Sequence, residues 1–506
     1  MLSEVFEAKF ATLKTLVPIH IGSVEQKLTP FEYIVKDGYV YHVSEEKLSK
    51  LLAKLNLIDA FVTEVEIQGH RFRIMDFFKR QKVEVGPELI LGLTGGRRAK
   101  ITGNHLDMQD YKPFVRDGNG KIYIPGTSIK GVIRTAILYK ALKDLKEKDP
   151  EAFKQRIEDR ILQRIEDGKN KKNMFAWGNQ EWFESFFLED NRDFGPHTDW
   201  LRLLHVSDAY PNESFETKTI PLNVLKKEKD SYNLKKEDGG KNTTIWVETV
   251  PEGVSFNFLI TWDRRLLDKF KRFNPDIILP QSLDAVFECL KVWKDGVIQE
   301  EITFFGQTQL AKWYKDQAQN LGLRIGFGSG ILATTIFPLL SQSVRKAVRN
   351  YAGLNRGDEI APKSRRIWLK DNRAYPLGWV SLSMRPYEKG QEIFATEPSS
   401  TIETIEPDIA STESYQLKES PEEVASTQTK PEQISWPNAY VTFNPGKRTL
   451  LASHENKKAE LKLGDDLSIV PEKFHRKLFV KRSAITATVI VEPLGNAFKI
   501  VRIEEN

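Results

Sequence analysis

Cysteine is nearly missing from this sequence: Cys289 is the one thiol in 506 residues. A lone thiol excludes an internal disulfide framework and argues against a thiolate zinc site. The chain therefore fits a reducing compartment. Long apolar runs are missing as well. No stretch of about 18 apolar residues occurs, so nothing reads as a membrane span. The first residues, MLSEVFEAKF, are charged and lack the apolar centre of a signal peptide. These absences predict a soluble, cytoplasmic chain with no membrane partner. Catalytic signatures are absent too. There is no G-x-x-x-x-G-K-[ST], no H-E-x-x-H, no G-x-S-x-G and no kinase motif set. Carboxylate clusters of metal-binding type are not evident. The expectation is binding before chemistry, with no cofactor, no metal and no catalytic residue.

What is present is ordinary for a globular protein: 40% hydrophobic and 29% charged residues. The length allows about two to four domains. Charge is unevenly spread. Residues 390–434 carry a net −8, residues 435–506 a net +4, and residues 1–389 a net +9. A basic body suits a polyanionic partner, because Lys and Arg that neutralise phosphates release counterions. It equally suits a solvated surface with a surplus of one sign.

Composition divides the chain. Residues 390–434 are rich in Ser, Thr, Glu and Pro and nearly without aromatics. Such a stretch cannot bury enough apolar area to offset its chain entropy, which predicts a disordered acidic linker. After it, AYVTFNP, AELKL, LSIVP, ATVIVE and AFKIVRIE are five short β-like runs, predicting a small all-β barrel of the OB or S1 kind over 435–506. Within it, FHRKLFVKR (474–482) interleaves aromatic and basic residues, a pattern that suits single-strand binding. The body, 1–389, mixes helices and strands. FEYIVKDGYVYHV reads as a hairpin around Asp37-Gly38. KIYIPGTSIKGVIRTAILYKALKDL reads as a strand, a Pro-Gly turn and a helix with Ile129, Val132, Ile133, Ala136 and Ile137 at 3.6-residue spacing. Ser128 or Thr127 can cap that helix. Residues 147–195 read as a helical insertion. The fold class is α+β with an antiparallel sheet.

Four segments carry candidate site residues. In PGTSIKGVIR, Gly126, Ser128, Lys130 and Arg134 surround a helix start, where N–H groups and the helix dipole favour a phosphate. An ordinary capped helix with solvated Lys and Arg fits the same residues. In LRIGFGSGI, Gly326, Gly328 and Gly330 permit positive φ and close backbone approach, with Arg324 beside them. Such a loop can lie along an RNA backbone or pack as a tight turn. In LTGGRRAKI, Arg97 and Arg98 sit on a glycine-rich basic loop. His20, in VPIHIGS, is a candidate general acid/base or a structural histidine.

Three of these motifs, VPIHIGS (17–23), IPGTSIKGVIRTAI (124–137) and RIGFGSGI (324–331), occur in an order that resembles the RAMP superfamily of CRISPR-associated proteins. Within it, the chain is most similar to the fifth-subunit family of the type III-A Csm effector complex, LTPFEYIVKDGYVYHVSEEKL (28–48) adding to the likeness. The resemblance spans residues 8–385. It implies a ferredoxin-like, RRM-related core with insertions. It also implies a non-catalytic subunit that caps the 3′ end of the CRISPR guide RNA, contributes to guide maturation and antiviral defence, and assembles with backbone RAMP and small helical Csm subunits, in some systems with trimming nucleases. Carried over by position, Ser128, Lys130 and Arg134 would meet guide phosphates and the three glycines would form the RAMP glycine loop. Related backbone subunits cleave target RNA with an aspartate after the first strand. Here GSVEQKLTP offers Glu25 and no Asp, which predicts no cleavage. The alternatives are a subunit of the related type III-B Cmr complex, or a RAMP endoribonuclease using His20. The linker and barrel lie outside the resemblance.

Overall fold

In the computed structural model the alternation of strand Phe6–Thr15 places Leu13 and Thr15 in the core, and Phe10 and Ala11 are buried on opposite faces. Burial on both faces marks a central strand. It pairs antiparallel with Ser255–Asp263 on one side (Phe6↔Asp263) and with Trp379–Pro386 on the other (Thr15↔Val380). Leu204–Val206 adds beyond Ser255–Asp263, and Leu323–Arg324 adds beyond Trp379–Pro386. The structure describes residues 5–23, 27–103, 108, 110–167, 199–228, 231–237, 240–273, 280–353, 361–388, 433–444, 449–455, 457–462, 469–480, 484–494 and 497–504. Met1–Glu413 and Ser414–Asn506 are two compact units.

The long elements of the first unit run strand, helix, strand, strand, helix, strand. The helices are Gly126–Lys148 and Leu283–Phe305. In the sheet the fourth of these strands lies beside the first, then the third, then the second. Both helices belong to the main core with Trp200, Trp262, Trp293 and Trp379. They cross closely at Gly296, where a Cβ would stand 2.1 Å from the Tyr139 hydroxyl oxygen. A larger residue there would have to displace the Tyr139 ring.

A second, nine-stranded sheet is built around Lys218–Glu228. Its edge hairpin joins Tyr33–Lys36 to Tyr39–His42 in the register Lys36↔Tyr39. Asp37 (φ 50°) and Gly38 (φ 77°) form the turn, the conformation that the Asp-Gly pair favours. This sheet is mixed, because Arg98–Ile101 runs parallel to Lys218–Glu228. Residues 45–94 supply four helices with a small core of Leu48, Leu52, Phe72, Phe77 and Phe78.

The second unit is a closed barrel of Ile434–Asn444, Thr449–His454, Lys457–Lys462, Ile485–Leu494 and Ala497–Glu504. Two sequence expectations change here. The described part of LSIVP, residues 469–471, is not in a strand: Val470 is buried and its carbonyl accepts a 2.7 Å bond from His475 Nε2 of the following helical turn. The strand is instead Thr449–His454, whose Leu450 and Ala452 point inward. In 474–480 the aromatics are partly buried and do not stand out as free platforms. Phe474 and Phe479 pack on the barrel core, Phe479 edge-on to Phe443 at 4.9 Å, while Arg476 and Lys477 stay exposed. Lys481 and Arg482, most of the linker 390–434 and residues 168–198 of the helical insertion lie outside the described residues. The part of that insertion that is described is helical through Pro150–Phe153, Lys154–Glu158 and Asp159–Glu166.

Candidate nucleic-acid interface

After Thr15 the chain leaves the first sheet and makes single bridges, Ile19↔Val250 and Gly22↔Phe114, to residues that follow two strands of the second sheet, Thr244–Thr249 and Tyr111–Lys112. This stretch carries His20 against the glycine loop. All three loop glycines have positive φ: 75° at Gly326, 94° at Gly328 and 69° at Gly330. They are not equivalent. A Cβ on Gly326 would stand 2.2 Å from the His20 carbonyl oxygen, one on Gly328 would press on Leu377 at 3.3 Å, and one on Gly330 would meet nothing within 4 Å. Gly326 is thus the point where two backbones touch, and the Phe327 N–H donates to the His20 carbonyl at 2.7 Å.

Arg324 holds this loop from behind. It was expected at a phosphate; it is instead 2% exposed. Its guanidinium donates to Glu301 at 2.8 Å and to the carbonyls of Leu377 and Gly328 at 3.2 Å. Glu301 also accepts from Arg365 at 2.7 Å. Burial alone would raise the Glu301 carboxyl, but Arg365 and Arg324 hold it below the usual carboxylate range. A buried arginine fully engaged by a carboxylate and two carbonyls positions the loop and cannot reach a solvent-side phosphate.

His20 is 1% exposed. Its Nδ1 lies 2.7 Å from the Glu248 carbonyl, which can only accept, so Nδ1 carries the proton. Desolvation pushes the His20 pKa down to about 4. The ring is neutral near pH 7 and wedged edge-on between Phe114 and Phe327. The Glu248 carboxylate anchors the same corner. It accepts from the Phe114 N–H at 2.8 Å, Arg116 at 2.5 Å and the Thr217 hydroxyl at 2.8 Å. His42 stands 3.8 Å away and is also pushed down to about 4 by burial.

On the outer side of the loop sits Phe327, half-buried between two exposed glycines, Gly326 and its helix-starting neighbour Gly330. The Arg366 guanidinium lies over its ring at 4.3 Å and Lys112 Nζ at 5.8 Å. Sequence reasoning did not single out Arg366 or Lys112. The signal was the alternation in Ser364–Lys370, where Arg366, Trp368 and Lys370 share a face; only the folded sheet shows that this face meets the glycine loop.

The helix at Gly126 is arranged differently from the expected phosphate cradle. Three of its first N–H groups are engaged: Gly126 donates to Asp208 Oδ1 at 2.7 Å, and Ser128 and Ile129 donate to the Pro125 carbonyl. Neither Thr127 nor Ser128 caps it; Pro125 is the cap residue and no side chain bonds there. Gly126 is required because a Cβ would stand 2.4 Å from the Val206 carbonyl oxygen. Arg134 pairs with Asp199 at 2.6 Å, and Lys130 is pushed down by burial, with Asp199 opposing. Arg98 is exposed over the Tyr39 ring at 4.4 Å, on the second sheet beside half-buried Arg97. The structure therefore brings His20, Arg324 and the three glycines together, groups Gly126, Ser128, Lys130 and Arg134 on the helix start, and sets Arg97 beside His42, whose N–H donates to the Arg97 carbonyl, at the Glu248 corner. Glu25 lies outside the described residues. No metal-binding group of His, Cys, Asp or Glu occurs among the described residues, and none of their helices is long and apolar enough to cross a membrane.

A family model, the RAMP superfamily, matches residues 12–318. The chain belongs to the RAMP superfamily. A CRISPR system Cms protein Csm5 of Methanocaldococcus jannaschii is 23% identical over 404 residues, 73% of this chain and 87% of that protein. The Csm5 protein of Streptococcus thermophilus is 26% identical over 226 residues, 42% of this chain and 58% of that protein. Among solved structures, a chain of the cryo-EM Csm-crRNA-target RNA ternary complex of a type III-A CRISPR-Cas system superposes with TM-score 0.51 at 23% identity, covering 74% of this chain and 100% of that one. This RAMP protein is thus similar in sequence to Csm5 proteins and in fold to a subunit of a type III-A Csm complex. Its fold is mixed α+β.

Proposed function

We propose that this chain is a non-catalytic guide-RNA-binding subunit of a type III-A Csm complex, placed at the 3′ end of the guide and helping to set its length. The 3′ position is read from its likeness to the fifth-subunit family. The observation that carries RNA binding is Phe327 on an exposed glycine loop, with Arg366 and Lys112 over its ring. The Arg366 guanidinium spread over that ring offers a plane on which a base can stack, and the two adjacent cations offer phosphate contacts. Gly326 and Gly330 leave the loop backbone open for close approach. The strand order fourth-first-third-second supports a ferredoxin-like core. The partners of this role are the guide RNA and neighbouring Csm subunits, joined in some systems by nucleases that trim the guide.

A His20 endoribonuclease fits less well. A general base must come within hydrogen-bond reach of substrate, and His20 is buried, neutral and bonded to the Glu248 carbonyl. The test is co-expression with a CRISPR array and the other complex subunits, followed by RNA analysis of what co-purifies. Arg366→Glu with Lys112→Glu is expected to cut retained guide RNA at least tenfold at physiological salt and to flatten the salt dependence of binding by roughly one to two charges. Unchanged retention with an unchanged salt slope refutes the interface.

A further inference from the structure

The proposed function rests on Phe327, Arg366 and Lys112 and does not use the C-terminal barrel. Its neighbours run first, second, third, fifth, fourth, and Lys457–Lys462 lies parallel to Ala497–Glu504 where the third strand meets the fifth. Helical turns Glu472–His475 and Arg476–Val480 sit between the third and fourth strands. This is the arrangement of OB-type barrels, which bind oligonucleotides on the face of their second and third strands and on adjoining loops. Topology alone does not assign function, so the side chains must decide it.

The inward positions are filled by Trp436, Ala439, Val441, Leu450, Ala452 and Val489, all buried. A ligand therefore belongs on the outside. There Tyr440 is 56% exposed and Leu451 39%. The register sets Tyr440 directly between Thr486 and Ser453, with Leu451 one step diagonal, paired with Thr442. Short hydroxyl side chains on both sides leave the tyrosine ring uncovered, and no described side chain bonds or stacks on it. Residues 435–506 carry a net +4, and Lys457, Arg476 and Lys477 are exposed. A protein-docking face would be a contiguous apolar patch. One aromatic with an aliphatic neighbour, rimmed by hydroxyls and by Glu460 opposite Leu451, on a barrel of net positive charge, matches a base-stacking platform.

We infer that the outer face of the barrel around Tyr440 and Leu451 binds single-stranded RNA, with a base stacked on Tyr440. This second contact is independent of the glycine loop. The test uses the full chain and a single-stranded RNA bearing 4-thiouridine, cross-linked by ultraviolet light and mapped by mass spectrometry. Cross-links are expected within residues 434–454. Tyr440→Ala should lower their yield about tenfold, the usual cost of losing one stacked base, and Tyr440→Phe should preserve it. They should persist in Arg366→Glu with Lys112→Glu, which removes only cross-links at the glycine loop. Three results overturn the inference: no cross-link on the barrel of the unaltered chain, an unchanged yield in Tyr440→Ala, or a Tyr440→Phe yield as low as that of Tyr440→Ala. Barrel cross-links without glycine-loop cross-links would instead remove the proposed function and spare this site.

Discussion

Replacing Gly326 by alanine probes how the glycine loop is held. The added Cβ would sit 2.2 Å from the His20 carbonyl oxygen and 3.1 Å from Ile21 Cγ1. A normal contact needs about 1 Å more, so the loop must lift away from the His20 backbone. The φ of 75° adds about 1–2 kcal/mol of left-handed strain for a residue with a Cβ. Lifting breaks the 2.7 Å bond from the Phe327 N–H to the His20 carbonyl, at about 1–3 kcal/mol if the carbonyl stays buried. Together the loss is on the order of 2–5 kcal/mol. Gly330→Ala is the internal control. Its φ is 69° and a Cβ there meets nothing within 4 Å, so only the strain of about 1–2 kcal/mol applies. Urea unfolding reads the two losses, and hydrogen exchange at the Phe327 amide reads the bond itself. Equal destabilisation by both variants, or full protection of the Phe327 amide in Gly326→Ala, would show that the close approach at His20 does not hold the loop.

Two further predictions concern buried charge. His20 and His42 are each pushed from 6.5 to about 4 by burial. Between these values the unfolded chain takes up more protons than the folded one, so stability is full above pH 6.5, falls as pH drops toward 4, and levels off below that. From pH 6.5 to 5 each histidine costs on the order of 2 kcal/mol; urea midpoints at pH 7 and pH 5 check this, and a midpoint that rises on acidification contradicts it. Glu301→Ala leaves Arg324 and Arg365 without their shared carboxylate. It should cost about 3–5 kcal/mol, read as a fall in Tm, while Arg324→Met with Glu301→Met should recover part of that loss. A recovery of nothing would mean the pair holds more than charge.

The sequence by itself determined the local events and the lineage. The Asp37-Gly38 turn, the helix from Gly126 and the left-handed glycines at 326, 328 and 330 follow from residue type, because φ preference and 3.6-residue spacing are short-range properties. The three ordered motifs were enough to point to the RAMP superfamily. Which charged side chains face solvent was decided only by tertiary structure. Arg324 looked like a phosphate ligand beside glycines, but Glu301, 23 residues away on the facing helix, draws it inward. The helix start at Gly126 looked like an open anion site, but Asp208 arrives from 82 residues away to accept its N–H. Arg366 and Lys112 were unremarkable in sequence until sheet pairing set them over Phe327. In the barrel, the aromatics of 474–480 turned toward the core and the exposed ring became Tyr440. A side chain's partner is set by long-range contacts, and a lone sequence encodes those only through the finished fold.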